Sequence, residues 1–479
     1  MGTRASADDV GGRPASHPNH VTDPYRSRSL WLDEHPGSLD PRPPLVGDIQ
    51  VDIAIVGGGY TGLWTAYYLL RQDPTLRVLV IEKEIVGFGA SGRNGGWCVG
   101  ELAAGPDRHE KIADNDAARR LLHQVFDSVD EVGRVVQREG IDCHFAKGGT
   151  IRVARNAAHL ARQRDEVEHL QHGFGLTDDD LHMLDRDEAL GHLNASGVVG
   201  GLFYAHSAAL DPARLVRGLG EAVERLSGTI VEQTTATAIE SGRVVTNRGT
   251  VQAEVVVRAL EGYTSTLDGH RRTLAPLYSL MVATEPLDDD LWDQIGLSQR
   301  QTFADDRHLV IYGQRTADGR IAFGGRGAPY GFRSKIDPAI EQRSKVHDKI
   351  VATLIELLPM LADVGITHHW GGVLGVPRDW FPSLGFDRES GIAWAGGYVG
   401  EGVSPSNLAG HTLADLITGN ESPRIDLPWV GHRSRNWEPE PLRYLGINTG
   451  LGMMRLADRS ESRSGKESTL AKWMWKLVG

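Results

Sequence analysis

The segment VDIAIVGGGYTGLWTAYYLLRQDPTLRVLVIEKE, residues 51–84, restricts the possible folds of this chain more than any other. VDIAIV is a short, nearly continuous apolar run, the pattern of a parallel strand buried on both faces. GGGYTG follows, and then LWTAYYLLRQD, which has helix length and stops before Pro74. RVLVIE reads as a second buried strand, so the segment predicts a βαβ unit. Gly57, Gly59 and Gly62 fit G-x-G-x-x-G, and Glu82 stands twenty residues beyond Gly62 at the end of the second strand. That context makes the pattern a dinucleotide-binding fingerprint. Gly57 permits a tight turn, Gly59 lets the backbone approach a pyrophosphate, and Gly62 lets helix pack on strand. The helix N-terminus offers N–H groups to phosphates, and Glu82 can accept hydrogen bonds from an adenosine ribose.

The fingerprint by itself admits NAD or FAD. The next segment, GFGASGRNGGWCVG at 87–100, selects FAD. Six of its fourteen positions are glycine, and ordering each costs about 0.5–1 kcal/mol of backbone entropy. It follows directly on the ribose-binding acid, where the second half of a long cofactor would lie. Gly89, Ser91, Gly92, Gly95 and Gly96 would let main chain rest against pyrophosphate, ribitol and a flat ring, with Arg93 and Asn94 supplying polar contacts.

With 479 residues the chain has room for two or three packed units. A net charge of −12 argues against a general nucleic-acid binder and is compatible with a cationic substrate. Cys98 and Cys143 are the only cysteines, too few for a disulfide framework or a cysteine metal site. The first residues lack an apolar signal region and no run spans a membrane, so a soluble cytoplasmic protein is expected. Residues 1–24 read as disordered. Helices are expected over 115–139, 156–172 and 339–358, and antiparallel strands over 277–326. His159, His169 and His172 fall on a helix face read as solvated rather than metal-binding. The tail beyond 426 ends in TLAKWMWKLVG, a basic amphipathic piece expected to pack on the body, with a membrane or partner as the alternative.

GGGYTGLWTAYYLL, GASGRNGGW and AGGYVGEGVSPSNLAGHTLADLI together resemble the FAD-dependent amine and D-amino-acid oxidase superfamily. The resemblance covers about residues 30 to 440 and is closest to the γ-glutamylputrescine oxidase-like and glycine oxidase-like branch. It implies a mixed α/β fold, with a Rossmann-like FAD-binding domain and a second, substrate domain built on an antiparallel sheet. The expected FAD-binding domain is discontinuous: 45–101, 200–265 and 365–425. The substrate domain takes 102–199 and 266–364, and 426–479 form an extension. The resemblance also brings an adenine contact near Ala236 and a flavin contact from the turn Gly400, Glu401, Gly402, Val403 and Ser404. The expected cofactor set is completed by Tyr60, Thr61, Lys83, Ala90 and Trp97 beside the glycines, Glu82, Ser91, Arg93 and Asn94. Leu260 and Glu261 depart from the family pattern, which usually has a small polar residue followed by glycine or acid. Covalent flavin linkage through a C-terminal cysteine has no counterpart. Cys98 is near the expected ring, as a buried thiol or as a point of attachment.

The implied reaction is hydride transfer from the carbon beside an amine nitrogen to flavin N5, giving an imine that hydrolyses, with O2 reduced to H2O2. A site for a neutral amine would be apolar and aromatic. Trp97, Tyr278, Tyr312, Trp370 and Trp380 are candidate walls, and Arg326 stands where a relative carries a basic residue over the flavin. The expected catalytic residues are therefore Arg326, Tyr312 and Trp370. The expected partners are FAD, an amine or amino acid and O2. A dehydrogenase or biosynthetic desaturase or cyclase using another acceptor, and a flavin monooxygenase, are the alternatives.

Overall fold

The computed structural model describes residues 23–478 apart from 104 and 343. The disordered segment expected at the start of the chain lies outside the described residues up to position 22. Two eight-stranded sheets dominate. In the first, Ile49–Val56 lies between Thr250–Arg258 and Val78–Ile81, parallel to both. Thr229–Val231 and Ile392–Gly396 extend this parallel core on either side. Antiparallel additions finish it: Ser383–Asp387 on one edge and the hairpin Ala236–Glu240 with Arg243–Thr246 beside Thr250–Arg258.

The helix Tyr60–Gln72 follows the central strand. Every residue from Tyr60 to Leu70 is buried, which explains its apolar character all round. Its outer neighbour is Val403–Thr418, and the two helices touch main chain to main chain. A β-carbon on Gly410 would lie 2.5 Å from Cβ of Trp64 and 2.8 Å from the Thr65 nitrogen.

The second sheet runs Ile366–Val376, Ala275–Thr284, Ile321–Arg326, Ile311–Arg315, Thr302–Asp305, Thr150–Ala154, Gly200–Tyr204 and Leu181–Leu184. All its pairs are antiparallel except Thr302–Asp305 with Thr150–Ala154. Gly200–Tyr204 and Ile366–Val376, expected in the FAD-binding unit, both pair in the second sheet. Their apolar runs fit either sheet, and only long-range pairing decides. Trp97–Val99 and Ser207–Ala209 form a separate ribbon.

Two local expectations need correction. The helix read over 339–358 is a single turn, Pro338–Glu341, then a helix Lys345–Leu357 that begins at the Ser344 cap. His159 is buried rather than solvated, and burial lowers its pKa to about 4. The tail holds a long helix, Leu442–Ser464, and a second one, Thr469–Val478. The second packs on the first, with Ala471 and Met474 buried and the Met474 methyl placed over Gly450. Among the described residues no helix is long and apolar enough to cross a membrane. None of them form a group of three or more His, Cys, Asp or Glu able to hold a metal ion.

Gly410→Leu should force the two glycine-apposed helices apart. The expected loss is about 1–3 kcal/mol, the usual penalty for overpacking, seen as a lower thermal midpoint. An unchanged midpoint would show that the helices are not held this closely.

Candidate active site

Main chain builds the first cavity. Gly57 has φ +116°, and a β-carbon there would sit 2.4 Å from the Ala259 carbonyl oxygen. A β-carbon on Gly62 would sit 2.1 Å from the Gly57 oxygen. Gly59 is the N-cap of Tyr60–Gln72 and Gly402 the N-cap of Val403–Thr418, and as glycines neither caps its own helix with a side chain. Two buried helix starts therefore present N–H groups and partial positive charge to the same cavity. Ser91 Oγ accepts the Tyr60 N–H at 2.9 Å and keeps the glycine-rich segment against the first helix start. The cavity measures about 500 Å³. Glu82, Lys83 and Thr234–Thr237 line one part of it, Gly89–Ser91 and Leu260–Tyr263 another, and Gly400, Gly402 and Val403 a third.

Glu82 turns its carboxylate inward, accepting the N–H of Gly58 at 2.8 Å and of Glu84 at 2.9 Å. Burial pushes its pKa up to about 7 against those two hydrogen bonds. Glu261 behaves likewise: its buried carboxylate accepts N–H from Gly375, Gly397 and Tyr398 at 3.2, 2.7 and 3.3 Å. Burial again raises the pKa to about 7. The family departure at Leu260 and Glu261 thus does not spoil the cavity. Both residues line it, and Glu261 ties the strand after the first cavity wall to the turn before Gly400.

A second cavity, of about 350 Å³, shares Ala90, Asn94, Leu374, Gly400 and Val403 with the first. Its near walls are Gly95, Trp97, Ser279, Met281, Tyr312, Arg326 and Glu401. The Tyr312 hydroxyl lies 2.7 Å from Ser279 Oγ. Arg326 donates to the Val399 carbonyl at 2.7 Å and lies 3.5 Å from Glu401, whose carboxyl is raised by burial.

Of the expected site residues, Gly57, Gly59, Tyr60, Thr61, Glu82, Lys83, Gly89, Ala90, Ser91, Asn94, Ala236, Gly400, Gly402 and Val403 line the first cavity. Arg93, Gly95, Trp97 and Glu401 line the second, together with Tyr312 and Arg326. Others serve packing. Gly62 meets the Gly57 carbonyl, and Gly96 meets Gln314 and the Leu210 carbonyl. Ser404 donates to the Val99 carbonyl at 2.5 Å. Trp370 is fully buried outside both cavities, its indole N–H bonded to the Arg93 carbonyl at 2.8 Å. It shares a strand face with Gly372 and Leu374, but the chain at Arg93 covers it. Tyr278 bonds to Asp337 main chain, and neither it nor Trp380 lines either of these two cavities. Cys98 is buried opposite Ala208 and lines neither cavity. Arg93 is a buried partner of Glu341 at 2.6 Å. Sequence reasoning missed Ser279, Met281, Gly372 and Leu374, for which alternation in two strands was the available signal.

Residues 52–416 match the family model DAO, FAD dependent oxidoreductase. The chain is 30% identical to γ-glutamylputrescine oxidoreductase of Escherichia coli (strain K12) over 379 residues, 78% of this chain and 84% of that protein. It is 32% identical to the probable oxidoreductase OrdL of Rhizobium meliloti (strain 1021), covering 80% of this chain and 87% of the relative. Among solved structures, glycine oxidase from Geobacillus kaustophilus superposes with a TM-score of 0.67 at 21% identity, over 81% of this chain and 99% of that one. A parallel sheet with a glycine-walled cradle at its strand ends is the architecture of a dinucleotide-binding protein. The chain belongs to the DAO family of FAD-dependent oxidoreductases. The cavity suits that cofactor: two helix starts for its anionic centre, glycines where side chains would fill the space, and an inward carboxylate for a ribose.

Glu82→Gln replaces an acceptor by a donor at one oxygen. The FAD dissociation constant, read from flavin fluorescence quenching in reconstituted apoprotein, should rise roughly 10–100-fold, the range for a hydrogen bond to a charged group. Unaltered affinity would remove Glu82 from cofactor binding.

Proposed function

We propose that this protein oxidises the C–N bond of an amine or amino acid to an imine, which water then hydrolyses, with O2 as the final acceptor and H2O2 as product. Bound FAD supplies the hydride acceptor. One observation carries the reading. The second chamber opens from the cradle at Ala90, Asn94, Leu374, Gly400 and Val403, whereas Glu82 and Ala236 line only the cradle. We take the first sheet as the cofactor unit and the second, which supplies Ser279, Met281, Tyr312, Arg326, Gly372 and Leu374, as the substrate unit. That the similar E. coli protein is named for γ-glutamylputrescine supports an amine.

The chamber's residues divide the work. Trp97, Met281, Tyr312 and Leu374 exclude water and disfavour a charged nitrogen, so the amine binds with its lone pair free. Tyr312 is held in place by Ser279, and burial raises its pKa, which keeps the hydroxyl neutral. Arg326 is braced by the Val399 carbonyl at the turn, and its charge faces the chamber near Glu401. It orients a polar substrate group rather than moving a proton.

Anaerobic mixing of the FAD-loaded protein with amines, N-methyl amino acids and D-amino acids should bleach the visible flavin band for at least one class, and air should restore it with release of peroxide. Bleaching by NADPH alone, with none by amines, would overturn the reading. Arg326→Gln should slow the reduction roughly tenfold or more while flavin content per chain is retained. Unchanged kinetics would remove Arg326 from the site.

A further inference from the structure

The amine reading explains the near end of the chamber and leaves its far wall unexplained. That wall includes Glu101, Arg152, Arg162, Glu166 and Asp306, with Asp305 and Arg307 beside them. The arginines are already matched. Arg152 lies 2.5 Å from Glu166 and 3.1 Å from Asp306, one guanidinium between two carboxylates. Arg162 lies 2.9 Å from Glu461, whose side chain is 1% exposed. Glu461 belongs to the helix Leu442–Ser464, beyond the residues that match the family model. It also sits 2.9 Å from His308 Nε2 and accepts the Ser468 N–H at 2.8 Å, so it is firmly placed. Nearby Arg307 is likewise matched, by Asp305 at 2.6 Å.

The acids are in surplus. No described residue hydrogen-bonds or ion-pairs with the Glu101 carboxylate, which lines the chamber. The Asp306 side chain is 9% exposed, and its Oδ2 is buried without a hydrogen-bond partner. Burial pushes Glu101 up to about 7 and Asp306 up to about 6, and Arg152 offsets that rise only in part. A substrate carboxylate would find no free guanidinium at this wall, whereas a cation would complete both acids.

We propose that the far wall is a subsite for a second positive charge, formed by Glu101 and Asp306, so that the preferred substrate is an amine with another ammonium group away from the reacting nitrogen. The inference rests on the amine reading for its near end. The C-terminal helix takes part through Glu461, which neutralises Arg162 and so keeps the wall acidic.

The test compares straight-chain diamines, monoamines and ω-amino acids of the butane, pentane and hexane series on the FAD-loaded full-length protein without oxygen. Binding is read from perturbation of the flavin spectrum and reduction from its bleaching. At one length or more the diamine should bind roughly tenfold tighter than the monoamine, the worth of a charge-assisted hydrogen bond, and the ω-amino acid weakest. Glu101→Gln should erase most of that diamine-to-monoamine ratio, and Asp306→Asn serves instead should the first variant fail to take up flavin. Glu461→Gln should shift preference towards the ω-amino acid by releasing Arg162. Equal binding of diamine and monoamine at every length, tightest binding of the ω-amino acid, or a ratio that survives both far-wall variants would each overturn the subsite. Tight diamine binding without bleaching by any amine would instead defeat the oxidation reading and leave the subsite in place.

Discussion

The contact between the Gly57 carbonyl and the bare α-carbon of Gly62 underlies the rest of the site. Only glycine fits there, since a β-carbon on Gly62 would fall 2.1 Å from that oxygen. The contact seats the first helix directly on the end of the central strand, with its N–H groups aimed into the cavity. Val403–Thr418 packs on that helix through Gly410 and brings a second helix start to the same space. An anion is stabilised at such a place by roughly 0.3–1 kcal/mol per favourable charge near each terminus, and more where water is excluded. The cradle thus comes from main chain and its dipoles, with few side chains.

Buried carboxylates supply the counterpart. Glu82 ties the Gly58 turn to its own segment, and Glu261 gathers N–H donors from Gly375, Gly397 and Tyr398. Glu261, at φ +43°, stands where the chain leaves the strand Thr250–Arg258, and it ties that strand to the Gly397 turn. The residue that looked like a departure from the family pattern therefore acts as a structural link. A glycine there would free the backbone but lose three hydrogen bonds.

The first cavity was legible because its signals are local: strand, glycine turn, helix and acid follow one another within residues 51–84. Arg326 and Tyr312 line the second cavity from strands of the second sheet. Trp370 was placed wrongly for a reason that sequence does not contain. Its strand face is correct, but the segment around Arg93 crosses over it and seals it. The far wall was missed entirely. Glu101, Arg152, Glu166 and Asp306 come from four separate segments, and only the pairing of Thr150–Ala154 with Thr302–Asp305 brings two of those segments side by side. Long-range register of that kind leaves no periodic trace in any one segment.

The tail shows how such register extends to an element outside the family match. An acid as buried as Glu461 is costly unless it is paired and hydrogen-bonded. Here it lies beside Arg162 and His308 and accepts the Ser468 N–H, while Asp458 on the same helix accepts the N–H groups of His308 and Leu309. The loop so gripped carries Asp305, Asp306 and Arg307 into the second chamber. Removing the helix would take Glu461 from Arg162 and the Asp458 acceptor from the loop amides, so the tail folds as part of the chamber wall.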